Sequence, residues 1–129
     1  MLVDDNENIF EILSAMLTNL ADATVECHNS PQNALAAFAE NPAAYKLVIT
    51  DFEMPGMDGV ELCRRMHALN PEQKIILSTG SGFFTEAAAQ HAGFCALLNK
   101  PFSLPQLKQA LAENFLLKDS EKISHFITA

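Results

Sequence analysis

Short apolar runs alternate with helically spaced stripes along the whole chain, and this alternation restricts the fold more than any other feature. Met1-Leu2-Val3 comes first, followed by Ile9, Phe10, Leu13, Met16, Leu17 and Leu20 at helical spacing. Thr24 to His28 alternates like a strand near a sheet edge. Ser30-Pro31 then starts a helix, with Ser as N-cap and Pro at the first helical position. Ala34, Leu35, Ala37 and Phe38 supply its buried face, and Asn41-Pro42 ends it. Lys46 to Thr50 reads as the third strand. Asp58-Gly59-Val60-Glu61 pairs a capping Asp with a Glu three residues on, opening a helix with the face Val60, Leu62, Cys63 and Met66. Asn70-Pro71 stops it.

Ile75-Ile76-Leu77 predicts a fourth strand that runs out in Ser78-Thr79-Gly80-Ser81-Gly82, and an Ala-rich helix follows to about His91. Phe94 to Leu98 predicts the fifth strand. Ser103-Leu104-Pro105-Gln106 is a capping box for the last helix, whose stripe is Leu104, Leu107, Leu111 and Phe115. Such alternation predicts an α/β fold with a five-stranded parallel sheet and helices on both faces. Right-handed crossovers make it doubly wound, most simply in the flavodoxin-like strand order 2-1-3-4-5.

The 129 residues suit one domain with a real core, and 49% of them are apolar. No apolar run approaches the roughly 18 residues of a membrane span, and no signal peptide precedes the first acids. A cytoplasmic location is expected. Eight basic against sixteen acidic residues leave a net charge of −8, which argues against a nucleic-acid grip. That balance suits metal cations or a partly basic protein partner, and equally plain solubility. Cys27, Cys63 and Cys95 are scattered with no CxxC spacing, as reduced thiols in a reducing compartment would be.

In the run VITDFEMPGMDG, Val48 to Gly59, a buried strand delivers its chain directly to a carboxylate. The expected topology gives that a purpose. Strand one ends at Asp4-Asp5, strand three at Asp51, strand four at Thr79 and strand five at Lys100, so all five polar residues gather on one sheet edge. Ligands bind at that edge, where the strand order reverses. Three crowded carboxylates repel one another, and a hard divalent cation removes the penalty. Mg²⁺ takes one or two carboxylates with waters and a phosphate oxygen. Thr79 offers a hydroxyl and Lys100 a point charge suited to phosphate. Taken singly, each has a plainer role: Asp5 as a helix cap, Lys100-Pro101 as a loop. Converging on one edge, they read as a site.

These segments resemble the receiver domain of two-component response regulators. Leu2-Val3-Asp4-Asp5-Asn6, Val48 to Gly59, Ile75 to Gly80 and Leu98-Asn99-Lys100-Pro101-Phe102 carry the likeness, which extends to about Leu117. The resemblance implies a receiver domain over residues 1–117 and a tail or linker stub over 118–129. It implies Asp51 as the acceptor of a phosphoryl group from the phosphohistidine of a histidine kinase or histidine phosphotransfer protein. Mg²⁺ would be held by Asp5, Asp51 and the backbone carbonyl of Glu53, with Asp4 acting through water. Thr79 and Lys100 would bind the new phosphoryl oxygens, and Pro101 would follow a cis peptide that directs the lysine. Such a domain promotes only its own phosphorylation and dephosphorylation. Its fourth helix, fifth strand and fifth helix form the face that relays the signal and that pairs in homodimers.

The sequence departs from the family in places. Three residues before the lysine, where an aromatic ring commonly couples to the threonine, stands Leu97, expected as a packed side chain with a smaller rearrangement of the fourth helix. Glu53 and Ser81 occupy positions that tune phosphoryl lifetime. Only three residues precede Asp4 on a central strand, so the chain is expected to be part of a longer sequence, such as a hybrid histidine kinase. Two rival readings stand beside this one. A haloacid-dehalogenase-like phosphatase would use Asp51-Phe52-Glu53, but its nucleophile belongs on strand one and its chain is longer. A receiver-like module blind to phosphate would not need the full acidic set.

Overall fold

A computed structural model describes residues 1–20, 24–80, 82 and 84–115, with the side chains of Leu20 and Phe115 left aside. Five strands and five helices alternate: β1 Leu2–Val3, α1 Asn8–Leu20, β2 Cys27–His28, α2 Pro31–Glu40, β3 Val48–Asp51, α3 Gly59–Leu69, β4 Ile75–Thr79, α4 Glu86–His91, β5 Ala96–Asn99 and α5 Leu104–Phe115. All pairings are parallel and the order is β2-β1-β3-β4-β5, as expected. Residue 81 and the tail 118–129 lie outside the described residues.

Period-2 alternation splits each buried strand between two cores. Val3, Val48, Ile75 and Leu77 face one cluster with Phe38, Leu62 and Met66 from α2 and α3. Leu2, Ile49, Ile76 and Leu98 face the other, with Leu13, Leu17, Leu107 and Leu111 from α1 and α5. The sheet is therefore covered on both sides, which is why its strands read as continuous apolar runs.

Helix starts follow their side chains. Ser30 Oγ accepts from Asn33 N at 3.1 Å, and Asp58 Oδ1 from Glu61 N at 2.9 Å. At α5 the capping box closes in both directions: Ser103 N donates to Gln106 Oε1 at 2.7 Å, and Gln106 N to Ser103 Oγ at 3.3 Å. α4 is capped by Thr85, whose Oγ1 accepts from Ala88 N at 3.1 Å. Val60 is only half-buried; Gly59 takes its place in the packed face of α3.

Strand limits differ from expectation. β2 is two residues, not five, because its one neighbour β1 is itself two residues long before it turns at Asp4. β3 runs Val48–Asp51 rather than Lys46 to Thr50, since Asp51 still pairs with Ser78. β5 is shifted to Ala96–Asn99 by the register Ile76↔Ala96 to Thr79↔Asn99. In each case the pairing partner, not local composition, sets the end.

The core and the caps differ in weight. Phe38 is wholly buried, so Phe38→Ala should cost about 3 to 5 kcal/mol. Ser103→Ala should cost about 1 kcal/mol. Urea unfolding of both variants checks the ranking.

Candidate functional site

The sheet edge beyond the strand ends assembles the site. Asp4 leaves β1, Asp51 is the last residue of β3, Thr79 ends β4 and Lys100 follows β5. Carboxylate oxygens of Asp4, Asp5 and Asp51 all lie within 4.8 Å of one another. Lys100 Nζ donates to Asp4 Oδ2 at 2.6 Å and to Asp51 Oδ1 at 3.2 Å. Ninety-six positions separate Lys100 from Asp4, and the topology alone brings them together.

The two oxygens of Asp4 are both engaged. Oδ2 takes the lysine, and Oδ1 accepts from Asn6 N at 2.9 Å, closing a local turn. Asp4 is buried, with 5% of its surface exposed, whereas Asp5 is exposed. The lysine is fixed from its own backbone: Lys100 N donates to Thr79 O at 2.9 Å, and the Lys100–Pro101 peptide is cis. Thr79 is buried at the end of β4.

One cation shared by two acids leaves an imbalance. Burial raises the Asp51 carboxyl above its ordinary pKa, the Asp4 charge adds to this, and Lys100 only partly opposes it. For Lys100, burial works against the ammonium, yet the hydrogen bond and charge of Asp4, followed by those of Asp51, outweigh it and raise the pKa. The lysine is thus well neutralised while Asp51, holding the longer bond, is not.

Gly59 completes the geometry. A Cβ on it would strike the Asp51 carbonyl oxygen, and its N–H donates to Phe52 O at 2.8 Å. Only glycine lets α3 begin this close to the acid-bearing strand. Beyond Asp51 a shallow groove is lined by Asp5, Phe52, Glu53, Met54, Pro55 and Asp58.

Of the residues singled out in the sequence, Asp4, Asp5, Asp51 and Lys100 converge directly. Glu53 is exposed beside them in the groove. Leu97 is half-buried and packs against the same core cluster as Phe84. Ser81 lies outside the described residues. Three features went unread: the Lys100–Asp4 pair, the tight approach of Gly59, and an edge-to-face contact of Phe52 with Phe84. The Asp-Gly sequence was available as a sign of the second. No signal in the sequence marked the others.

The model of the response regulator receiver domain family matches residues 1–112. The chain belongs to that family. It is 36% identical over 110 residues to the C4-dicarboxylate transport transcriptional regulatory protein DctD of Rhizobium meliloti, covering 84% of this chain but 23% of that protein. It is 26% identical over 121 residues to sporulation initiation phosphotransferase F of Bacillus subtilis, covering 93% of this chain and 95% of that one. A receiver domain crystal structure from Clostridium thermocellum superposes with a TM-score of 0.79 at 26% identity, covering 88% of this chain and 90% of that chain. The three acids and the lysine match the receiver arrangement for phospho-aspartate and Mg²⁺ chemistry. A receiver domain characteristically catalyses only its own phosphorylation and dephosphorylation. Among the described residues no helix is long and apolar enough to cross a membrane.

The charge imbalance predicts a pH effect. With the folded-state pKa of Asp51 raised, the folded protein binds protons more readily than the unfolded chain, so Asp51 subtracts from stability as pH rises through that window. In chelator, Asp51→Asn should therefore melt above the wild type at neutral pH. The gap should narrow toward acid pH, where the wild-type carboxyl is neutral too. Thermal melts across pH test this, and a lower melting point for the variant at neutral pH would contradict it.

Proposed function

We propose that Asp51 accepts the phosphoryl group of a phosphohistidine carried by a histidine kinase or histidine phosphotransfer protein. A carboxylate oxygen of Asp51 forms the new O–P bond as the N–P bond to the imidazole breaks, and the imidazole keeps the electron pair. Positioning and charge neutralisation carry such a reaction. The observation that supports Asp51 is its unequal share of Lys100: of the two acids the lysine touches, it holds the longer bond.

The donor set fits Mg²⁺. Oxygens on an octahedral magnesium stand about 3 to 4 Å apart, near the spread of the three acids. Asp5 and Asp51 would hold the ion with the Glu53 carbonyl, while Asp4, both oxygens engaged, would reach it through water. When bound, the ion supplies the positive charge that lets a phosphate approach an acidic rim. Thr79 would donate its hydroxyl to a phosphoryl oxygen, and Lys100 would turn part of its bonding from Asp51 to another. Glu53 and Ser81 would adjust how readily water reaches the acyl phosphate.

The partners follow from the surfaces. An apolar groove of Ile9, Ile12, Leu13, Met16 and Phe102 leads up to Lys100, with Ile12 63% exposed, and suits a helix of the phosphodonor. A second groove between α4 and α5, floored by β5, is the face for a downstream partner or a second copy. The reading places a 1–117 receiver in the cytoplasm, with 118–129 as tail or linker.

Acetyl phosphate with Mg²⁺ is the direct test. Labelling should require the metal and disappear in Asp51→Asn. Mg²⁺ at a hundred times its dissociation constant should raise stability by about 2.7 kcal/mol, and Asp5→Asn should lose that gain. Unlabelled wild type would instead favour a receiver-like module that works by protein contact alone. Glu53→Ala should alter the decay rate of the label by several-fold; an unchanged lifetime would remove Glu53 from the site.

A further inference from the structure

The ring contact that the sequence did not signal connects the site to the fourth helix. Phe52 follows Asp51 directly, so one peptide bond joins its backbone to the acid-bearing residue. Its ring meets that of Phe84 with centroids 4.9 Å apart and planes at 74°. Edge-to-face pairs of this kind hold a preferred geometry. Phe84 in turn immediately precedes Thr85, the N-cap of α4. The path from Asp51 to the helix start thus consists of a peptide bond, a ring pair and a second peptide bond.

α4 is the element most open to such an influence. It is six residues long and buries only Ala89, whereas α2, α3 and α5 each bury at least three described residues. Few buried contacts mean a small difference between alternative placements. Leu97, by contrast, is an aliphatic side chain of a paired strand, packed on the core and joined in register to Leu77.

We propose that the Phe52–Phe84 contact transmits the state of Asp51 to the N-terminal end of α4, independently of Leu97. This rests on Asp51 being the phospho-acceptor. Phosphorylation makes a carboxylate oxygen of Asp51 part of an acyl phosphate and adds charge and bulk beside the Phe52 backbone. Phe52 shifts, the ring pair carries Phe84 with it, and the Thr85 cap follows. The response is concentrated at Thr85–Ala88 and is small at Ala96–Leu98.

Amide shifts of the full chain with Mg²⁺, before and after beryllofluoride, test this in wild type, Phe52→Leu, Phe84→Leu and the double variant. Thermal melts confirm that each variant is folded, and Phe84→Leu, in a loop outside the acid cluster, carries the test should Phe52→Leu unfold. In wild type both the Asp51 neighbourhood and Thr85–Ala88 should shift. In each single variant the Asp51 neighbourhood should still respond while the Thr85–Ala88 response falls by at least half, and the double variant should lose no more than the singles. An undiminished helix response in Phe84→Leu overturns the ring proposal and leaves the phospho-acceptor reading standing. A wild-type helix that does not respond overturns it as well. No response around Asp51 in wild type defeats the phospho-acceptor reading itself, and the ring proposal with it.

Discussion

A single ammonium group stands between a buried acid, Asp4, and a half-buried one, Asp51, and the rest of the site is arranged around that shortage of positive charge. Lys100 reaches Asp4 at 2.6 Å and Asp51 at 3.2 Å, while Asp5 lies within the same cluster without a share of it. Three carboxylates against one lysine cannot be neutral. The fold tolerates this because Asp4 is further held by Asn6 N–H, and because Asp5 is open to water. What remains under-compensated is Asp51, at the end of a strand buried on both faces. A site in this condition has affinity for a divalent cation and, through it, for an anion.

The strands act as rigid supports for these groups. β3 pairs with β4 along its whole length, from Val48↔Ile75 to Asp51↔Ser78, so the position of Asp51 is set by two cores at once. Lys100 is secured by its own N–H on Thr79 O, which ties the lysine to the end of the neighbouring strand. Gly59 allows α3 to start against the Asp51 carbonyl, closing the loop that carries Glu53. A displacement of any of these by about 1 Å would be felt at the reacting group.

Much of this was legible in the chain, for a physical reason. Ser30, Asp58 and Ser103 cap their helices through bonds to residues three positions away, so the information is local. The identity of the strand-end acids and of Lys100 was equally plain, since each interrupts an apolar run. The lengths of β1, β2 and β5 were not, because a ladder ends where its neighbour ends. Nor was the Lys100–Asp4 pair: topology predicts that both residues reach one edge, but not which acid the lysine prefers. That choice depends on side-chain reach and on the competing bond from Asn6. The Phe52–Phe84 contact was hidden for the same reason, being a meeting of two loops with no shared periodicity.

Stiffness is unevenly distributed, and this is consistent with a signalling role more than with turnover. The acids stand at the ends of β1 and β3, whose preceding residues are buried on both faces, so charge placed there is not readily absorbed by moving the sheet. α4 lies at the other extreme, with Ala89 as its one buried residue and Gly93 at φ 108 closing its end. Among the described residues the Phe52–Phe84 ring pair lies between them. When a rigid region gains charge and a lightly held helix adjoins it, the adjustment falls on the helix, because repositioning it sacrifices the fewest packed contacts. The same electrostatic imbalance that makes Asp51 receptive therefore has one inexpensive outlet, at the surface where a partner can read it.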